Sequence, residues 1–189
     1  MVLSSLNYRL LADFFNFVTE LKAVKRSGWI SKVKVKNPES VADHTYAMST
    51  MVMVFSDILG MKTERALKMA ILHDLGESII GDYEPNEISS NEKRIKETEA
   101  IDHILNHLPA EIRKKYGDIW KEYLENKSNT SQLVHSVDRI EMAFQAKTYE
   151  SQGYPSSILQ QFLTCTTNGE DGNDILLLLN RTKDASFSE

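Results

Sequence analysis

Eight glycines and four prolines are the strong turn-makers in 189 residues, about half the usual share for a globular chain. A chain so poor in breakers has few places to reverse, and helices are the natural use of the stretches between them. The apolar spacing agrees. Between Leu6 and about Lys25, the residues Leu10, Phe14, Phe17, Val18 and Leu21 share one helical face. Val41, Met48, Met51, Val52, Phe55 and Leu59 repeat the pattern down to Gly60, which reads as a C-terminal cap. Thr63 caps a third helix through Leu67, Ala70 and Ile71 to His73 and Leu75. A charged helix follows from about Ser90 to Leu108, buried through Ile95, Ile101, Ile104 and Leu105. Pro109 opens another with Ile112, Tyr116, Ile119, Trp120 and Tyr123. The next begins at Ser128 or Ser131 and passes Val134, Val137 and Phe144 to Gly153. Short helices over 156–164 and 174–181 complete the set.

Two segments break the pattern. Lys32-Val33-Lys34-Val35-Lys36 alternates strictly and predicts an extended, strand-like loop, after which Asn37 is the expected N-cap with Pro38 at the first helical position. Beyond Gly76 the periodicity lapses through Gly81 and Pro85, a loop of about ten residues. The expectation is an all-α domain of seven or eight helices, undivided because no repeat or low-complexity linker interrupts it.

Charge and composition remove several function classes. With 27 acidic against 22 basic side chains and a net charge of −5, the chain is a poor nonspecific partner for long nucleic acids. The longest strict apolar run, Ile175 to Leu179, falls far short of the ~18 residues of a membrane span. A single cysteine, Cys165, builds neither a disulfide framework nor a multi-cysteine zinc site. No secretory signal pattern opens the sequence, so a cytoplasmic setting is expected.

Five histidines remain to be read singly. His73 and Asp74 are adjacent at the end of an apolar helix, and Glu77 follows one turn later, close enough to reach the same ion. Imidazole with carboxylate suits a divalent transition metal. An isolated His-Asp pair is most often a helix-end cation beside a solvated cap. Two further residues shift that balance. His44 sits in the apolar stripe of Val41, Met48 and Met51, and Asp138 interrupts that of Val134, Val137 and Phe144. Burying either group alone costs several kcal/mol unless it is paired or metal-bound. His103 and His107 are spaced i, i+4 but lack a third ligand and read as a solvated pair, and His135 reads as a surface histidine. Lys22, Lys25, Arg26, Lys32, Lys34 and Lys36 form a basic strip without an acidic residue, able to draw an anion locally.

Together, His44, His73-Asp74 and Asp138 match the H…HD…D pattern of the HD-domain metal-dependent phosphohydrolases. The stretches P-E-S-V-A-D-H (38–44), H-D-L-G-E-S-I-I-G-D (73–82) and V-D-R-I-E-M (137–142) resemble the 5′-deoxynucleotidases of that family, over about 10–150. The resemblance implies a single HD-domain helical bundle spanning 1–189, with additional C-terminal helices over 155–182. It implies one divalent ion (Mn, Co, Fe, Ni, Zn or Mg) held by His44, His73, Asp74 and Asp138. Glu77 would be the acid/base group, with Asp74 in the catalytic centre. Asp82 would lie close to the sugar, and Arg26 and Trp29 would hold the phosphate and pack on the nucleotide. The implied substrate is a deoxyribonucleoside 5′-monophosphate, and the implied assembly a homodimer. Other expectations stay open: an HD phosphohydrolase acting on a triphosphate, cyclic or alarmone nucleotide, or a noncatalytic helical binding protein with a relic metal site.

Overall fold

Asn7 starts the first helix by accepting hydrogen bonds from the backbone N–H groups of Arg9 and Leu10, donors that a helix start otherwise leaves bare. In the computed structural model, which describes residues 7–84 and 87–167, this helix, α1 (Tyr8–Glu20), buries Phe14 and ends well before Lys25. Residues 24–26 run extended instead, because they pair with 39–41. Arg26 N donates to Glu39 O over 3.2 Å and Val41 N to Val24 O over 2.9 Å, around an isolated bridge between Lys25 and Ser40.

That pairing also moves the start of the second helix. Held against 24–26, residues 39 and 40 cannot be helical, so Asn37 and Pro38 do not open α2 (Val41–Ile58). Ser40 does, in a reciprocal capping box with Asp43. Gly60 follows as the expected left-handed stop, at φ +64°. The alternating lysine–valine segment is likewise not a strand. Trp29–Val33 forms one π-helical turn closed by Lys34 at φ 62°. The alternation nevertheless sorts the sides correctly: Val33 and Val35 are buried with Tyr149, Leu159 and Phe162 in a small second core, while Lys34 and Lys36 face water.

The remaining elements are α3 (Thr63–Leu72), the single turn α4 (Glu77–Ile80), α5 (Ser90–Leu105), α6 (Ala110–Glu125), α7 (Asn129–Ser151) and α8 (Ser156–Thr167). Lys62 stands at the N-cap of α3, and the Thr63 hydroxyl donates to Asp57 instead. Helix α4 occupies part of the expected loop. Helix α5 is buried only in its second half, through Ala100, Ile101, Ile104 and Leu105; Ile95, expected inside, is 50% exposed. The helix expected over 174–181 lies outside the described residues.

Helix α2 packs against α3 and α7, α3 also touches α6 and α7, and α5 bridges α4 and α6. Helices α1 and α8 flank this group, α1 on α4 and α5, α8 on α7 and the π turn. The main core lies among α2, α3, α5, α6 and α7. The architecture is all-α, and among the described residues no helix is long and apolar enough to cross a membrane. The bundle's functional consequence is that α2, the end of α3 and α7 meet.

Candidate active site

Each of those three helices delivers polar groups to one point. His44 projects from the buried face of α2 and is 0% exposed. His73 and Asp74 follow the last turn of α3, and Asp138 lies within α7. His44 Nε2 is 3.2 Å from Asp138 Oδ1 and 3.7 Å from Asp74 Oδ2. His73 Nε2 is 3.0 Å from the same Asp74 oxygen, and the two imidazole rings are 5.5 Å apart. Ligand atoms of His44, His73 and Asp74 all lie within 4.8 Å of one another. The structure thus brings together the four residues singled out by the H…HD…D spacing.

The far side of each ring fixes its proton. His73 Nδ1 lies 2.6 Å from Ala70 O, and a carbonyl only accepts, so Nδ1 carries the hydrogen. His44 Nδ1 lies 2.5 Å from Glu141 Oε2 and donates likewise. Both Nε2 atoms are aimed into the centre, where neither has a hydrogen-bond partner, and each offers a lone pair when its ring is neutral. Two such nitrogens facing two carboxylates repel unless a proton or a cation lies between them. Burial and Arg26 work against charging His44, yet Asp138 and Glu141 outweigh them and lift the imidazole to about 10. Burial alone would raise the Asp74 carboxyl; His73, Arg26 and His44 reverse this and hold it well below its usual range. This nitrogen–oxygen donor set fits a divalent metal ion.

Glu77 is carried in by the single turn α4, which presses on α5 so closely that a Cβ on Gly76 would meet Glu97 O at 3.4 Å and Ile101 at 3.5 Å. Glu77 is buried, and its Oε2 lacks a hydrogen-bond partner. Burial first, then Asp74 and Asp82, push its carboxyl well above the ordinary glutamate range against Arg26 and Lys93. Gly81, at φ +78°, ends α4 and turns the chain toward Asp82.

Arg26 reaches the centre from the extended segment, with Nη1 3.4 Å from Asp74 Oδ2. Burial disfavours the guanidinium, but Asp74, Asp82, Asp138 and Glu77 hold it protonated. Asp82 secures the adjoining loop: its Oδ2 accepts from Ser27 N at 2.6 Å and from Ser27 Oγ at 2.9 Å. Trp29 stands beside them in the smaller core. Its ring is only 2% exposed, packed on Phe162 at 4.3 Å and Tyr149 at 5.1 Å, with Nε1 donating to Glu39 over 2.8 Å. It borders the site with Phe162 and Tyr149 packed against its ring.

These groups line a cavity of about 660 Å³, a size that suits a small ligand. Lys32 and Lys93 also border it. Lys93 pairs with Glu97 at 3.5 Å and Lys96 with Glu92 at 3.6 Å, the partners that their helical spacing favours. His135 is not a plain surface histidine: it stacks on Tyr123 with ring centroids 4.1 Å apart and borders the same cavity.

Two acidic residues escaped the sequence reading. Glu141, one turn after Asp138, backs His44. Glu39, beside Ser40, is half-buried near it; burial, then Glu141, push its carboxyl up to about 7 against the Trp29 hydrogen bond. Their signal was an acid recurring on an otherwise apolar helix face or beside a cap, too common to stand out.

A helical bundle in which two histidines and two aspartates converge in the H…HD…D order is the pattern of the HD domain, and the chain belongs to that family: the HD-domain profile matches residues 18–171. Among characterised relatives it is similar to the 5′-deoxynucleotidase HDDC2 of Danio rerio, 38% identical over 89% of this chain and 84% of that protein. The Homo sapiens 5′-deoxynucleotidase HDDC2 is 36% identical over 90% of this chain and 83% of its own length. Among solved structures, the PH0347 protein of Pyrococcus horikoshii superposes with a TM-score of 0.73 at 30% identity, covering 90% of this chain and 96% of that one.

Proposed function

We propose that this protein is a metal-dependent 5′-deoxynucleotidase, removing the 5′-phosphate from deoxyribonucleoside monophosphates. The observation that carries the metal centre is the pair of buried, partnerless Nε2 atoms of His44 and His73 facing Asp74 and Asp138. The relatives named above carry the choice of nucleotide. We assign His44, His73, Asp74 and Asp138 as the ligands of one divalent ion, drawn from Mn, Co, Fe, Ni, Zn or Mg. When bound, such an ion supplies charge screening for a phosphate dianion and acidifies water.

The chain's own residues account for the rest. Arg26 presents a forked cation at the cavity wall, the geometry that grips a phosphate through two parallel hydrogen bonds. Its contact with Asp74 supports a position for that fork beside the assigned ligands. Glu77 is the acid/base group: a carboxyl that burial keeps protonated holds a proton for the departing 5′ oxygen, and in return accepts one from the attacking water. As water's oxygen bonds to phosphorus, the phosphorus–O5′ bond breaks and the products are nucleoside and inorganic phosphate. Asp82 anchors the Ser27 loop near the sugar end, and Trp29, which borders the same cavity, packs on the nucleotide.

The cavity's volume of about 660 Å³ suits a small ligand, and the net charge of −5 opposes long nucleic acids. We place the protein in the cytoplasm, whose reducing conditions suit the lone Cys165, and as a homodimer, in keeping with its resemblance to the deoxynucleotidases.

Phosphate release from a panel of deoxy- and ribonucleoside mono-, di- and triphosphates, each with Mn²⁺, Co²⁺ and Mg²⁺, tests the proposal. Turnover confined to monophosphates, favouring the deoxy series and abolished in Asp74→Ala, is expected. No turnover with any metal, or undiminished turnover in Asp74→Ala, overturns it.

A further inference from the structure

The two metal-facing imidazoles are held from behind by different groups. His73 Nδ1 donates to a neutral backbone carbonyl, Ala70 O. His44 Nδ1 donates to the carboxylate of Glu141 at 2.5 Å. Both partners in this second contact are buried. Glu141 lies three residues after Asp138, so α7 presents the two acids on one face, Asp138 to Nε2 of His44 and Glu141 to Nδ1. Glu141 therefore stands on the opposite side of the ring from the point where His44, His73 and Asp74 converge, and a ring turn would be needed before it could join them.

A carboxylate behind a ligating imidazole does two things: it holds the proton on the rear nitrogen, and it makes the front nitrogen more basic. We infer that Glu141 is a positioning residue that fixes the tautomer of His44 and strengthens it as a metal ligand. Glu39 braces this arrangement from the loop side. One of its oxygens lies within 4.8 Å of both the His44 ring nitrogen and a Glu141 oxygen. Its other contacts fix it in place: Trp29 Nε1 donates to Oε1, and the backbone N–H of Glu39 donates to the Tyr149 hydroxyl over 2.9 Å. The loop bearing Arg26 is thereby tied to Asp74 on one side and, through Trp29, to Glu39 on the other.

The inference rests on the metal-centre part of the proposed function and is independent of which nucleotide is hydrolysed. Glu141→Gln keeps the size and a hydrogen-bond acceptor but removes the charge. Its affinity for Mn²⁺, measured by chelator competition, is expected to fall about 10- to 100-fold, while the circular dichroism of the metal-free protein stays that of the parent. In the Zn²⁺-loaded parent, nitrogen-15 NMR is expected to place the His44 hydrogen on Nδ1, with a far-downfield proton resonance that moves upfield in Glu141→Gln. Parent-like Mn²⁺ affinity in the folded variant overturns the inference, and so does a His44 protonated on Nε2 in the loaded parent. The NMR measurement on the parent decides even if the variant does not fold. A parent that binds Mn²⁺ tightly yet releases no phosphate from any nucleotide overturns the proposed activity and leaves the role of Glu141 to be judged by the affinity alone.

Discussion

At the scale of single residues, magnitudes separate the groups that matter from those that merely pair. Lys114 and Asp118 lie 2.7 Å apart, but both are exposed, and such surface pairs are worth roughly 0–1 kcal/mol. A buried imidazole nitrogen or carboxylate oxygen without a partner costs several kcal/mol, so the unpartnered atoms of His44, His73 and Glu77 outweigh such surface pairs. Glu77 differs from the others. Its carboxyl is raised by burial and by Asp74 and Asp82, whereas Asp74 and Asp138 are held low by the histidines and Arg26 or by His44. Opposite shifts within one cavity are what the proposed division into a proton carrier and metal ligands calls for. Glu77→Gln is expected to lower kcat by about 10²- to 10⁴-fold with Mn²⁺ affinity unchanged; steady-state kinetics beside a chelator titration separates the two. The sequence flagged Glu77 through its spacing from His73. It could not flag Glu141, because an acid one turn from Asp138 gains meaning only when α2 lies against it.

At the scale of elements, where a helix begins decides what its face carries. Helix α2 starts at the Ser40–Asp43 box rather than at Asn37, and from that start Val41, His44, Met48 and Val52 line the buried side. The local signal of Asn37-Pro38 lost to a nonlocal one, the pairing of 39–41 with 24–26. Asp43 has its carboxyl held below the usual range, first by the backbone N–H of Ser40 and then by its hydroxyl. A depressed carboxyl contributes stability that is present above the unfolded value of about 4 and is lost as the pH falls through the folded one. Asp43→Ala is therefore expected to cost about 1 kcal/mol at pH 7, a Tm lower by about 2–4 °C. The deficit should shrink as melts of the metal-free protein are taken toward pH 3. A deficit that does not change with pH would show that Asp43 acts other than as a charged cap.

For the whole molecule, the proposed metal centre lies where α2, the end of α3 and α7 meet, a junction at which the buried charges have no other evident use. Without a cation, α2, α3 and α7 meet through carboxylates and imidazoles that must share protons. An ion that binds only the folded chain stabilises it by mass action, about 2.7 kcal/mol at a free concentration one hundred times its Kd. Melts of chelator-treated protein with and without added Mn²⁺ should therefore differ by several degrees. That difference should vanish in His44→Ala, which removes the ligand contributed by α2. Equal melting temperatures with and without Mn²⁺ in the parent would place the ion outside the fold's energetics.

The helical class and the spacing of Glu77 from His73 and Asp74 were legible in the sequence, because helical periodicity and i, i+3 or i, i+4 spacing are local geometry written along the chain; His44 and Asp138 joined that set through the resemblance to the HD-domain phosphohydrolases. The alternating valines likewise told which side chains turn inward, although not that the backbone there would coil. What only the tertiary structure decided is everything that depends on two distant segments touching. The enclosure of Trp29 by Phe162 and Tyr149, the grip of Asp82 on Ser27, and the Glu141 carboxylate behind His44 belong to this group. Each joins residues far apart in the chain, and no local periodicity records a contact whose partner is chosen by the packing of whole helices.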